Sequence, residues 1–241
     1  MTTALPATIE VRDLTRRFGS VEALQGVSFE VQPGEFVGLI GHNGAGKTTA
    51  LRILTGQLPP SSGTVRVAGL DVQAQPREAR AAMGYTPEQP ELYDYLTARE
   101  LLEFVAEVRG GGDLHAALDL AGLGDDADRL IREYSQGMRR RTALAAAVLS
   151  RPPVLIFDEA LNGLDPPSAS RVKEHLASLC TAGHAVLLST HVLETVERIA
   201  HRVVMLAHGR VVADERVADI GQAGLERLFL ERIASSHKGE G

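Results

Sequence analysis

Between a short apolar segment, Glu35–Ile40, and a helical one, Lys47–Thr55, stand eight residues that leave the backbone little choice: Gly41-His42-Asn43-Gly44-Ala45-Gly46-Lys47-Thr48. They fit G-x-x-x-x-G-K-[ST] without a mismatch. The glycines let the chain wrap closely round phosphates with successive N–H groups pointing inward, and the helix N-terminus adds its positive end. Lys47 then reaches the outer phosphates of a nucleotide as a point charge, and the Thr48 hydroxyl is placed to ligate Mg2+. A plain glycine-rich turn has no need of a lysine, and lysine is scarce here. Of the 25 basic residues all but Lys47, Lys173 and Lys238 are arginine.

The rest of the chain frames this loop. Strand signals at Thr8–Leu14 and Val27–Val31 flank a turn-rich Phe18-Gly19-Ser20, and Thr64–Val67 and Met83–Thr86 follow the loop. From Glu88 to about Arg151 strand signals stop. Thr97–Arg109 reads as a helix with Leu101, Leu102, Val105 and Val108 on one face, followed by helices over Leu114–Ala121 and Ser135–Ser150. Strands and helices then alternate again: Val154–Phe157, Ser168–Cys180, Ala185–Ser189, Leu193–Ala200, and the pair Val203–Leu206 and Arg210–Ala213. The expectation is an α/β fold with a mainly parallel sheet, an N-terminal antiparallel β portion and an inserted helical subdomain over about 88–151. Gly224–Ile233 reads as one short helix before a polar tail, so the chain divides into 5–215 and 216–241.

Composition narrows the function classes. The longest apolar run, Ala143–Leu149, is far short of the ~20 residues needed to cross a bilayer, and Met1–Pro6 lacks the blocks of a secretory signal. A soluble, cytoplasmic chain is expected. The net charge of −6 argues against a dedicated nucleic-acid binder. The single cysteine, Cys180, follows Val172, Leu176 and Leu179 at helical spacing and reads as a small core hydrophobe.

A second chemical cluster ends the run Val154-Leu155-Ile156-Phe157-Asp158-Glu159. A buried strand that delivers two acids at its carboxyl end places them where open α/β sheets bind ligands. Asp158 suits the magnesium position, and Glu159 could polarise an attacking water. Further on, Ser135 is a good N-cap for the helix it opens, and Asp165-Pro166 pairs an N-cap with a proline at the first helical position.

With these motifs in order, the chain resembles the nucleotide-binding subunits of ABC (ATP-binding cassette) transporters, the resemblance covering most of residues 8–213, on a P-loop NTPase core. It implies ATP and Mg2+ as ligands, with Gly41, His42, Asn43, Gly44, Ala45, Gly46, Lys47, Thr48 and Thr49 around the phosphates. Phe18 falls where the family places an aromatic that stacks on adenine; packing into the core is the competing reading. The family signature, usually Leu-Ser-Gly-Gly-Gln, corresponds to Tyr134-Ser135-Gln136-Gly137-Met138, whose Ser135 and Gly137 would contact the γ-phosphate held by a partner subunit. Gly163-Leu164-Asp165-Pro166 matches the loop that crosses the dimer interface. His191 matches the histidine that senses the γ-phosphate. Ala160-Leu161 replaces the usual Pro-Thr. Glu88 stands where the family has a glutamine that bridges magnesium and the membrane partner, with Gln89 next door in a shifted register; glutamate still binds magnesium but cannot donate.

The resemblance implies a catalytic set of Lys47, Glu159 and His191, a metal set of Thr48, Glu88 and Asp158, and a head-to-tail pair of ATPase subunits. It also implies an integral membrane permease on separate chains, no nucleic-acid partner, and a place at the inner face of the cell membrane reached through that permease. The segment Pro87–Thr97 is similar to the branch serving ABC-2-type exporters. An importer ATPase and a cassette ATPase outside transport are the other readings, and the short Glu88–Ser135 interval disfavours the long coiled-coil arms of the latter.

Overall fold

In the computed structural model, which describes residues 8–220 and 224–237, the first two strands run well beyond their apolar signals. β1 (Ile9–Phe18) and β2 (Val21–Val31) pair antiparallel from Ile9 opposite Val31 to Phe18 opposite Val21. The polar stretch between shows no apolar alternation, so main-chain pairing with several register shifts carries it, and the turn contracts to Gly19-Ser20. β3 (Phe36–Ile40), buried at every residue, runs into the glycine loop and α1 (Lys47–Leu54). β4 (Ser62–Val67) and β5 (Leu70–Asp71) follow. Then comes α2 (Pro76–Ala81), too short to announce itself by periodicity, and β6 (Met83–Thr86).

Between β6 and Val154 the chain forms helices, with an isolated β-bridge pairing Thr97 with Leu130. α3 (Ala98–Arg109) starts at a capping box in which the Thr97 hydroxyl accepts from the Glu100 N–H and the Glu100 carboxylate from the Thr97 N–H. α4 (Leu114–Ala121) and α5 (Gln136–Val148) complete this region, with two short 3-10 turns between them. Leu101 and Leu102 are buried, but Val108 is 68% exposed: the last turn of α3 overhangs its packing partners, so the expected apolar face ends at Val105.

The remainder is β7 (Val154–Asp158), α6 (Pro166–Thr181), β8 (Ala185–Thr190), α7 (Leu193–Ile199), β9 (Arg202–Ala207), β10 (Arg210–Arg216) and α8 (Gly224–His237). α8 continues past the expected Ile233. Residues 5–7 of the expected cassette and 238–241 of the expected tail lie outside the described residues.

Two sheets result. β2-β1-β4-β5 is antiparallel; β10-β9-β3-β8-β7-β6 is parallel except for the β9–β10 hairpin at its edge. Strands of the parallel sheet are buried on both faces, as covered parallel sheets require. Val154 and Ile156 of β7 join a core shared with the antiparallel sheet and α1. Leu155 and Phe157 face α6, where Val172, Leu176, Leu179 and Cys180 pack. Burial, with Glu35's charge adding, pushes the Cys180 thiol up to about 12. The helical subdomain has its own core around Leu102, Ile131 and Leu149, and seats on the sheet through α5. At that seat a Cβ on Gly84 would lie 2.0 Å from the Ala147 carbonyl oxygen, so only glycine lets β6 and α5 meet so closely. Among the described residues, no helix is long and apolar enough to cross a membrane.

Candidate functional site

Parallel pairing brings the carboxyl ends of β3, β8 and β7 to one edge, with Ile40 opposite Thr190 and Asp158 opposite Ser189. The residues following these strands therefore converge: the glycine loop, His191 and Glu159. At Gly46, φ is +105° and a Cβ would come within 2.7 Å of the Ala23 carbonyl oxygen. A glycine is needed there for the turn and for the close passage of β2. Lys47 opens α1 and is only 6% exposed; its Nζ donates to the Gly41 carbonyl at 2.7 Å and stands 3.8 Å from Glu159 Oε1.

The acids at the end of β7 are held firmly, Asp158 as its last residue and Glu159 just beyond it. Asp158 is buried and accepts a hydrogen bond from the Ser189 hydroxyl. Glu159, 7% exposed, has φ +50°, a left-handed conformation that costs a non-glycine residue about 1–3 kcal/mol. Its N–H donates to Ser189, at 3.0 Å to the carbonyl and 3.3 Å to the hydroxyl, which fixes the turn. Its carboxylate accepts from Asn162 Nδ2 at 2.7 Å through Oε2, and Oε1 lies 3.1 Å from His191 Nδ1. An ionised carboxylate only accepts, so His191 donates from Nδ1. Lys47, Asn162 and His191 thus aim one carboxylate.

A cleft of about 590 Å3 lies over this arrangement, lined by Phe18, Ala23, residues 42–49, Glu88, Glu159 and His191. Phe18 is 45% exposed, which settles it as a cleft-wall residue rather than core; the Arg16 guanidinium lies 4.6 Å from its ring centre. A neighbouring cavity of about 580 Å3 contains Thr48, Asp158, Glu88, Gln89 and Tyr85. Burial first, and the Asp158 charge second, push the Tyr85 hydroxyl up to about 12.

For magnesium the donors are right in kind. Thr48, Asp158 and Glu88 offer hard oxygens, and Mg2+ is usually held by one or two carboxylates together with waters and substrate phosphates. Among the described residues no three His, Cys, Asp or Glu side chains gather into a cage. The set fits a metal that arrives with a nucleotide.

Of the expected residues, Gly41 is buried beneath the cleft with its carbonyl accepting from Lys47 and does not line it, and three more lie elsewhere. Ser135 and Gly137 begin α5 and Asp165 caps α6, and none lines the cleft. Ser135 Oγ accepts from the Met138 N–H at 3.3 Å. Asp165 accepts from the Ser168 N–H at 3.0 Å and its hydroxyl at 2.8 Å, and those bonds, with Arg141 at 3.3 Å, hold its carboxyl below the usual range. Sequence reasoning missed Asn162 and Ser189. Asn162 contacts Glu159 only because of the left-handed turn, and Ser189 meets Asp158 only through strand register.

Comparison with known proteins shows the family and the fold. The ABC transporter family model matches residues 24–162. Nod factor export ATP-binding protein I of Paraburkholderia xenovorans is 39% identical over 214 residues, covering 86% of this chain and 70% of that protein. The daunorubicin/doxorubicin resistance ATP-binding protein DrrA of Streptomyces peucetius is 35% identical over 226 residues, 91% of this chain and 68% of that one. A solved ATP binding subunit of an ABC transporter superposes with TM-score 0.88 at 32% identity, covering 93% of this chain and 99% of the other. A dimeric ATP-binding cassette in a post-hydrolysis state, bound to ADP and Pi, shares the fold with TM-score 0.79 at 24% identity, covering 87% and 98%. With Glu159 and His191 meeting the phosphate loop in one cleft and Asp158 lining the cavity beside it, this chain belongs to the ABC transporter family, as an ATP-binding, ATP-hydrolysing subunit.

Proposed function

We propose that two copies of this ATPase, or one copy and a similar subunit, close head-to-tail on ATP and reopen after hydrolysis, driving an integral membrane permease on separate chains. The observation that carries this reading is the split of the motif residues. Lys47, Glu159 and His191 share the cleft, whereas Ser135, Gly137 and Asp165 sit outside it at the starts of two helices. A helix N-terminus offers N–H donors and a positive end to an anion. Ser135 and Gly137 of one subunit would therefore cap the γ-phosphate lying on Lys47 of the other. ATP favours the closed pair because only its γ-phosphate touches both faces.

Within a cleft, Phe18 would stack on the adenine, and residues 41–49 would wrap the phosphates. Lys47 would spread its charge over the outer phosphate oxygens. Glu159 would accept the proton of the attacking water, aimed by Asn162 and His191. Thr48, Asp158 and Glu88 would hold magnesium, which when bound neutralises charge developing on the phosphate oxygens.

Export is the favoured direction, supported by relatives named for Nod factor export and for daunorubicin/doxorubicin resistance. The chain would then work at the inner face of the cell membrane, bound to its permease. The test is Glu159→Gln. The variant is expected to bind ATP, hydrolyse it roughly 100- to 10,000-fold more slowly and accumulate as a dimer on gel filtration. A monomeric, fully active variant overturns both the base and the dimer. Membrane isolation of the tagged chain should bring down an integral protein; none would remove the permease from the proposal.

A further inference from the structure

One guanidinium joins three segments. Arg140, half-buried on α5, donates from Nη2 to the backbone carbonyl of Glu88 at 2.9 Å and from Nη1 to the backbone carbonyl of Asn162. Asn162 in turn donates through Nδ2 to Glu159 Oε2 and through its N–H to the Glu159 carbonyl at 3.1 Å. The chain turns tightly here: Gly163 has φ +70°, and a Cβ on it would lie 3.2 Å from Arg140 Nη1. The flanking arginines do other work. Arg139 pairs with Asp94 at 2.7 Å, and Arg141 with Asp165.

Stability alone is a poor account of Arg140. Both of its acceptors are neutral carbonyls, and its Nε is buried without a partner among the described residues. A cation held this way is weakly repaid for leaving water, and an apolar side chain of similar volume would fill the same space. What the fork does supply is geometry, because a planar guanidinium fixes two acceptors at a set separation where an ammonium cannot. The loop it grips carries Asn162, whose Nδ2 donates to the carboxylate of Glu159 in its left-handed turn.

We propose that Arg140 is a positioning residue for ATP hydrolysis, clipping the Glu88 loop to the 159–163 loop and, through Asn162, aiming the Glu159 carboxylate. The inference rests on Glu159 as the base that receives the water proton. It gives the helical subdomain a direct line to that base: displacement of α5 reaches Glu159 through two hydrogen bonds, and displacement of the Glu88 loop through three.

The test uses the full chain, ATPase kinetics with magnesium, and titration with a fluorescent ATP analogue. Arg140→Gln should lower kcat roughly 10- to 100-fold while KM and analogue affinity stay within about twofold, the pattern of a misaimed group rather than a lost binding contact. Asn162→Ala should do the same, and the double variant should be no slower than the slower single one, because both cuts sever one path. An unchanged kcat in Arg140→Gln, or losses that multiply in the double variant, overturns the proposal; so does a lower Tm as the sole effect. If Arg140→Gln does not fold, Arg140→Lys, which keeps the charge and loses the fork, is judged by the same criteria. Glu159→Gln run alongside separates the two readings. If it is inactive while Arg140→Gln is undiminished, only the Arg140 proposal fails; if it is active, the base reading itself fails.

Discussion

The cleft and the helix starts outside it treat polar groups in opposite ways. Lys47, Asp158 and Glu159 are each less than a tenth exposed, and each is tied to another strand or loop, Lys47 to Glu159, Asp158 to Ser189 and Glu159 to His191. Ser135 and Asp165 are exposed and are bound mainly by the N–H groups of the helices they begin. Buried charges persist only where the fold supplies partners. Exposed caps, being satisfied locally, keep a face available to something else. On the proposed mechanism, the first region is one half of the ATP site and the second is what the other subunit would bring to it.

That contrast is sharpened most by Lys47→Ala. Removing a buried cation from the phosphate loop should weaken nucleotide binding by roughly 10- to 150-fold, the worth of a hydrogen bond to a charged group, and turnover should fall to background. Near-normal affinity in a binding titration would break the assignment of the cleft. Ser135→Ala probes the other region and should behave differently. Nucleotide affinity of the separated subunit should stay within about twofold, while ATP-driven dimerisation weakens roughly tenfold, with about 1 kcal/mol lost from the α5 cap. Equal losses in monomer binding would place Ser135 in the same half-site as Lys47.

The smallest effect belongs to Asp165. Its folded carboxyl titrates below the ordinary range because Ser168 and then Arg141 favour the charged form. Its contribution is therefore present at neutral pH and is lost as pH falls through that lowered value. Asp165→Asn keeps a good cap, so thermal melts should show a small deficit at pH 7 that closes in acid. A deficit independent of pH would mean that the charge plays no part.

Legibility in the sequence followed the range of each interaction. Gly41–Thr48 was readable because strand, loop and helix are contiguous and the chemistry is carried by residue type. The parallel core was readable because runs such as Val154–Phe157 are apolar on both faces. What escaped depended on distant chain. Nothing local says that β1 continues through Thr15–Phe18, since pairing with β2 and β4 sustains it. The period through Val108 was right, but the neighbour it implied is missing at that turn. Asn162 and Arg140 carry no motif of their own; they become functional candidates only once Glu159 is seen in its left-handed turn.

The pairing of Asp158 with Ser189 has a consequence for how the chain can fail. Along β7 alternate side chains serve opposite cores, so a slip of one residue toward its carboxyl end would invert the strand, putting the Phe157 ring where Asp158 now meets Ser189, beside the oxygens proposed for magnesium. A misregistered molecule would thus be both unstable and inactive. Folding and the placing of Asp158 thus depend on the same pairing of β7 with β8.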